Sequence, residues 1–367
     1  MGRFSYGRGS LALCLLALLP AAAVSPVAAQ ITVTSADGQQ SARIGLLGQL
    51  QAEALDTPDG QHSQDNLFFR RIRISASYKY GEKLTAFAEL DSPNLGKGNP
   101  DGSKNATDVF FQHFEIVYAF SHQLHLEGGL IFTPNSYNHN QSSATLLGID
   151  FGPYTFVESA PLGSRNGRDY GAEVRGYLAG DHLEYRAGVF QGVRGKSSAN
   201  ALRTAGRLAV YLWGAETGVL YRGTSFGKLA TLSLGASYDI QKSYHSYTGD
   251  LFFEQPVAGG DGVTIQADYT LLDGKDFITA LPKQKDLFAE AGYYFHAIKL
   301  QPFFQYARQD FSVAKQNDEH RAGVGLAYYF DRHNSDLKLQ WTEIDHRGVK
   351  KRKDVVLQYQ LWIPAIF

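Results

Sequence analysis

Arg71-Ile72-Arg73-Ile74-Ser75-Ala76-Ser77-Tyr78-Lys79-Tyr80 alternates polar with apolar residues at every step. Successive side chains of an extended strand point to opposite faces, so this stretch carries Ile, Ala and Tyr on one face and Arg, Ser and Lys on the other. In a soluble sandwich the apolar face would be the inside. Here the polar face holds long charged side chains, and the same is true of other segments. Ala42, Ile44, Leu46, Leu50 and Ala52 alternate with Arg43, Gln49, Gln51 and Glu53, while Phe114, Ile116, Tyr118 and Phe120 alternate with His113 and Glu115. A wet interior and an apolar exterior fit that pattern, which is the sequence mark of a barrel that meets lipid.

Working outward, sixteen such segments can be placed: 42–54, 67–80, 83–91, 109–120, 123–133, 169–179, 182–191, 203–213, 228–240, 262–272, 275–281, 285–296, 299–310, 319–330, 336–345 and 353–367. After even-numbered segments the connections are mostly tight, at Gly81-Glu82, Ser121-His122, Gly180-Asp181, Asp273-Gly274 and Ala297-Ile298. After odd-numbered ones they are longer, at 55–66, 92–108, 134–168, 192–202 and 241–261. Short periplasmic turns alternating with longer outer loops are the habit of outer-membrane barrels, and an even count puts both termini in the periplasm. The connection Gly214 to Gly227 breaks the alternation and suggests a misplaced strand nearby. Tyr78/Tyr80, Tyr118/Phe120, Tyr293/Phe295 and Tyr328/Phe330 fall at the same ends of their strands, where an interfacial aromatic girdle belongs. The last strand, Val355-x-Leu357-x-Tyr359-x-Leu361-x-Ile363, runs to a terminal Phe367. The expected fold class is therefore all-β, a transmembrane antiparallel β-barrel of about 16 strands, spanning 42–367 after a short periplasmic segment, 30–41.

The first residues read as an export signal, 1–29. Arg3 and Arg8 precede the short apolar run Leu11 to Leu19, and Val27-Ala28-Ala29 offers a cleavage site. The only cysteine, Cys14, lies inside that signal, preceded by Leu13, which does not suit lipid attachment. Removing two arginines and no acid turns 35 basic against 36 acidic residues into 33 against 36, a net −3. That balance excludes a nucleic-acid binder, and the absent cysteines leave neither a disulfide framework nor a thiolate metal site. No later stretch approaches 18 uninterrupted apolar residues, so helical spans are out and a closed sheet remains.

Several motifs resemble the phosphate-selective porin O and P family. They are Leu67-Phe68-Phe69-Arg70-Arg71-Ile72-Arg73, Gly167-Arg168-Asp169-x-Gly171, Ala187-Gly188-Val189-Phe190-Gln191-Gly192, and Ala289-Glu290-Ala291-Gly292-Tyr293-Tyr294 with Leu300-Gln301-Pro302-Phe303. The resemblance runs over nearly the whole chain after the signal and implies a trimeric sixteen-stranded porin whose long third loop folds inward. Segment 134–168 fits that loop. It departs from the family by having no lysine: Asn135, Asn138, Asp150 and Glu158 lie within it, and its only arginines, Arg165 and Arg168, stand near its exit. A basic phosphate-binding cluster is therefore not matched there.

Barrel width and a polar lumen point to a water-filled channel for passive diffusion of small hydrophilic solutes. Inward parity puts Arg43, Arg71, Arg73, Lys79, Arg175, Arg186, Arg207 and Arg321 in the lumen, a wall that attracts anions such as phosphate. The other reading of the same residues is cross-strand ion pairing, of Arg73 with Asp91 or Glu89 and among Glu173, Arg175, Glu184 and Arg186; the two coexist if basic and acidic stripes are separate. His113, Glu115, His125 and Glu127 share one region, but their spacing enforces no metal site, and ordinary lumen polarity accounts for them. No cofactor is expected. No HExxH or GxSxG context points to an enzyme. The rival is a partner-binding or adhesin barrel without open-channel activity. Expected partners are outer-membrane lipid, the solutes, and two further copies of the chain.

Overall fold

A computed structural model describes residues 31–365 apart from 58–61, 100, 107 and 314–316. The export signal, Cys14 and Phe367 lie outside the described residues. Seventeen strands form one antiparallel sheet: β1 (Ile31–Thr34), β2 (Gln40–Asp56), β3 (Ser63–Tyr80), β4 (Leu84–Asp91), β5 (Phe110–Ser121), β6 (Leu124–Phe132), β7 (Arg168–Leu178), β8 (Leu183–Phe190), β9 (Arg203–Trp213), β10 (Thr231–Gln241), β11 (Tyr244–Pro256), β12 (Gly262–Asp273), β13 (Gln284–Tyr294), β14 (Leu300–Phe311), β15 (Glu319–Asp331), β16 (Ser335–His346) and β17 (Arg352–Ile363). Each strand from β2 onward pairs with its sequence neighbours. The ring closes where β17 runs beside β2, from Asp354↔Leu55 to Ile363↔Leu46. Sixteen strands thus make a closed barrel, which removes the unpaired edges an open sheet would expose to lipid.

The outer surface is apolar because the period-two pattern puts it there. Ile74, Phe114, Ile116, Leu208, Leu234, Val324 and Leu339 all face out and are exposed. Tyr78, Tyr80, Tyr118, Phe120, Phe295, Tyr328 and Phe330 are exposed as well, at the barrel end that carries the termini. Inside, the alternate residues of the same strands are buried and mostly polar.

Two expected elements are replaced, and they cancel. β11 lies inside the stretch expected as an outer loop, 241–261. Its inward face holds Tyr244 and Phe252 beside Ser246, Thr248, Asp250 and Glu254, while its outward face includes His245 and Gly249, so apolar alternation is blurred. Segment 275–281 is not a strand. Ile278 N–H donates to Gly274 O (2.8 Å) and Leu281 N–H to Ile278 O (2.9 Å), folding the segment back on itself. Ile278 and Leu281 then pack on Leu162, Tyr244 and Leu272, which uses their apolar surface without a sheet. The connection Gly214 to Gly227 hides no strand; it belongs to a long link, 214–230, between β9 and β10.

The expected N-terminal segment, 30–41, contains a short strand. β1 pairs with β2 over Ile31↔Ile44 to Thr34↔Ser41, on the edge that β17 occupies further along. β17 cannot continue there. Pro364, which has no N–H to give a ladder, follows Ile363. Ala365 turns to the inner face, where its carbonyl accepts a hydrogen bond from the Ser77 hydroxyl. A β-carbon on Gly45 would stand 2.5 Å from Ile363 O, so this position requires glycine.

Candidate functional site

Segment 134–168 enters the barrel and crosses it. Its stem is closed by Thr133 N–H donating to Gly167 O (2.8 Å), and Asn138 holds its turns together. The Asn138 Oδ1 accepts from Gly152 N–H (3.0 Å) and from the Thr155 hydroxyl (2.8 Å). His139 and Glu158 meet inside it at 3.3 Å. Hydrogen bonds then tie the loop to many strands. Lys338 of β16 donates to Leu146 O and Gly148 O (2.5 and 3.0 Å), Gln360 of β17 to Ala144 O (2.9 Å) and Gln49 of β2 to Ser143 O (3.2 Å). On the opposite wall Arg207 of β9 donates to Asn135 O (2.8 Å), and Ser237 of β10 to Asn135 Oδ1 (3.2 Å). A loop so bonded has a fixed position, since moving it would strip these buried polar groups of their partners.

The loop divides the lumen. On one side a cavity of about 540 Å³ lies against β2–β4 and β14–β17. It reaches from Glu53, Lys97 and Asp354 towards the loop end of the barrel to Leu47, Trp362 and Ala365 towards the terminus end. At about 3.3 Å per residue and a tilt of about 40°, that run of β17 covers about 20 Å of barrel height, most of the ~25 Å apolar band of such barrels. On the other side, between the loop and β11–β13, a much smaller cavity of about 20 Å³ is lined by Asn135, Glu158, Asp268 and Asp286 among others.

Basic residues divide accordingly. Arg70, Arg71, Arg73, Lys97, Arg168 and Arg321 line the cavity. Arg70 Nη2 and Arg71 Nη2 grip the two carboxylate oxygens of Asp150 at 2.7 and 2.6 Å. Burial opposes the Asp150 charge, and the two guanidinium groups outweigh it, holding its carboxyl well below the ordinary carboxylate range. Arg73 bonds Asp91 (2.9 Å), Glu89 (3.1 Å) and the Ser143 hydroxyl (2.7 Å), so both acids expected opposite it pair with it. Arg168 lies over the Phe132 ring at 3.8 Å and donates to His113 Nδ1 (3.1 Å). Arg321 bonds Glu319 (2.6 Å).

Arg175, Arg186 and Arg207 also project inward, but they stand behind the loop and do not line the cavity. Arg175 pairs with Glu127, Arg186 with Glu184 (2.7 Å) and Arg207 with Asp250, joined by Arg203 with Asp239 (2.5 Å). All four guanidinium side chains are at most 4% exposed. Arg43 and Lys79 are half-buried nearer the terminus end, away from the cavity. Of the loop residues, Asp150 faces the cavity, Asn135, Asn138 and Glu158 fix the loop, and Arg165 lies over Phe110 at 4.1 Å. His113 Nε2 and Glu115 Oε2 stand 3.5 Å apart without a hydrogen bond, while Glu127 is taken by Arg175. Among the described residues no group of three or more His, Cys, Asp or Glu side chains is arranged to hold a metal ion.

Strict parity misses Arg70. The β2–β3 register slips between Gln49↔Arg71 and Leu50↔Phe69, leaving Arg70 as the extra residue of a β-bulge. Arg70 and Arg71 then both reach the lumen. The doubled pairs Phe68-Phe69 and Arg70-Arg71 interrupt the alternation at that point, and they are the mark of the slip in the sequence.

The closed sixteen-strand ring, its inward third loop and its outward apolar band decide the architecture. The fold is the porin barrel. No family model and no curated protein matches the sequence. Solved structures do: the anion-selective porin of Comamonas acidovorans aligns with a TM-score of 0.60 at 13% identity, covering 88% of this chain and 100% of that one. Salmonella typhi OmpF, solved with daunomycin, gives 0.55 at 13% identity over 90% and 100%. A trimer form of Vibrio cholerae OmpT gives 0.52 at 10% identity over 88% and 99%. The likeness is to porin barrels as a group rather than to the phosphate-selective O and P family in particular.

Proposed function

We propose that the protein sits in the outer membrane of a Gram-negative bacterium as a passive channel for small hydrophilic solutes, with a mild preference for anions. The cavity beside β2–β4 and β14–β17, with Arg70, Arg71, Arg73, Arg168 and Arg321 along it, carries this reading. A path whose lining charges alternate in sign lets an ion pass between successive weak sites rather than bind in one, which conduction requires. Acids accompany the bases, with Glu53, Glu89, Asp91, Asp150 and Asp354 on the same cavity, so the preference is modest. Phosphate is one of several small anions such a path admits, and nothing along it forms a lysine cluster. Residues 1–29 act as the export signal in this reading, and the barrel assembles as a homotrimer, as the trimer form of the OmpT neighbour illustrates for its own chain.

Purified protein added to a planar lipid bilayer tests the channel itself. Stepwise current increments are expected. Folded barrels that insert without any current would favour the partner-binding or adhesin reading instead.

A further inference from the structure

The link between β9 and β10 is unlike the other connections at the terminus end, which turn tightly. Residues 214–230 rise into the lumen and meet the inward loop from below. Tyr221 and Gln141 form a parallel bridge there: Ser142 N–H donates to Tyr221 O (2.9 Å) and Tyr221 N–H to Asn140 O (3.0 Å). Gly223 N–H donates to the Thr145 hydroxyl (3.1 Å), and a β-carbon on Gly223 would lie 2.2 Å from Thr145 O. The Tyr221 ring is fully buried, stacked on Tyr137 at 4.6 Å, and its hydroxyl donates to Glu184 (2.9 Å). Further along, Phe226 packs with Leu147 of the loop and with Tyr294, Phe303 and Tyr329 of the wall.

The link is itself anchored. Ser225 N–H donates to both carboxylate oxygens of Glu254 on β11 (2.7 and 3.0 Å), and His333, in the turn between β15 and β16, bonds Thr224 O at 2.9 Å. It is therefore a rigid strut between wall and loop. Its position bears on the cavity directly. Ser142, Ser143 and Ala144 line the cavity, and the residues bonded to the strut, 140–142 and 145, are the same or adjacent ones. Leu220 lines the cavity as well.

We propose that segment 214–230 is the second half of the constriction: Tyr221 and Gly223 set how far loop residues 140–145 stand into the path, and Leu220 forms part of its wall. Tyr221 is a positioning residue, and Leu220 touches the solute. The proposal rests on the channel reading, because it concerns the width and charge of that channel.

Bilayer recordings on wild type, Tyr221→Ala and Leu220→Lys test it, with folded barrels selected by their resistance to unfolding in SDS without heating. Tyr221→Ala is expected to raise single-channel conductance and add flicker between levels. Leu220→Lys is expected to shift the reversal potential in a salt gradient towards anions, a change that a merely structural role would not cause. A conducting wild type with both variants indistinguishable from it overturns the strut and leaves the channel reading intact. A silent wild type with a conducting Tyr221→Ala barrel supports the strut while overturning the open channel. If Tyr221→Ala does not fold, Leu220→Lys decides alone: a shift supports the proposal and an unchanged reversal potential ends it. If no form conducts, the channel reading falls and the proposal with it.

Discussion

The wall of β5–β13 carries as much inward charge as the wall of β2–β4 and β14–β17, yet the two halves of the lumen use it differently. Behind the loop, Arg175, Arg186, Arg203 and Arg207 are each locked to a carboxylate and sealed from solvent. Beside the cavity, Arg70 and Arg321 are 27% and 35% exposed, and Asp150 and Lys97 each 34%. Desolvation makes the difference. A sealed pair has lost its water and depends on its partner, whereas a half-wet pair can exchange its partner for a passing ion. Arg70 and Arg321 are therefore open to water on the cavity side, while Arg71, Arg73 and Arg168 line the same cavity but are nearly as buried as the four behind the loop.

That contrast can be broken most easily where the charge is most deeply buried. Arg203→Ala strands Asp239 and Asp169 without their cation. The expected cost is about 3–5 kcal/mol of stability, because an unpaired buried charge remains. Guanidinium unfolding of the detergent-solubilised barrel measures it, and the reversal potential should stay at the wild-type value. A loss of stability much below that range, or a change of ion preference, would show that the two halves are not distinct.

The open half should respond the other way round. Asp150→Asn releases Arg70 and Arg71 from their carboxylate, so ion preference is expected to shift towards anions. The stability loss should be smaller than for Arg203→Ala, since Asp150 is 34% exposed and Arg71 keeps its bond to Gln49. Paired reversal-potential and unfolding measurements sharpen the comparison; a large stability loss without a shift in preference would place Arg70 and Arg71 with the structural arginines.

A pH effect concerns the strut. Burial, with Lys338 nearby, brings His333 down to about 3, so the imidazole is neutral where it meets Thr224. The unfolded chain takes up that proton near the ordinary value of about 6.5, which means stability from this group is complete above it and declines as pH falls towards about 3. The denaturation midpoint is expected to fall between about pH 7 and about pH 4, and by less in His333→Gln. Equal falls in both proteins would remove His333 from the account.

Much of this was legible in the alternation of residues. Segments such as 203–213 and 336–345 show lipid on one face and water on the other, and the structure places β9 and β16 there. β11 was hidden because Tyr244 and Phe252 point inward to meet the loop and the wall, so neither of its faces is uniformly apolar or polar. Residues 275–281 misled for the opposite reason, since their apolar side chains cover the loop rather than face lipid. At the site, parity shows which arginines point inward but not which lie behind a loop, because that depends on contacts between residues far apart in sequence. Arg186 and Arg71 look alike along the chain; only the course of 134–168 separates them. The strut was visible as an irregular connection without a reason, which the docking of Tyr221 on Asn140 and Ser142 supplies.

The reversal potential of the wild-type channel across a KCl gradient tests the central claim most directly. A path lined by Arg70, Arg71, Arg73, Lys97, Arg168 and Arg321 beside Glu53, Glu89, Asp91, Asp150 and Asp354 should let chloride pass slightly more readily than potassium, giving a small potential of anion-selective sign. A clear cation-selective sign would mean that the acids beside the cavity govern permeation, and would contradict the assignment of those arginines.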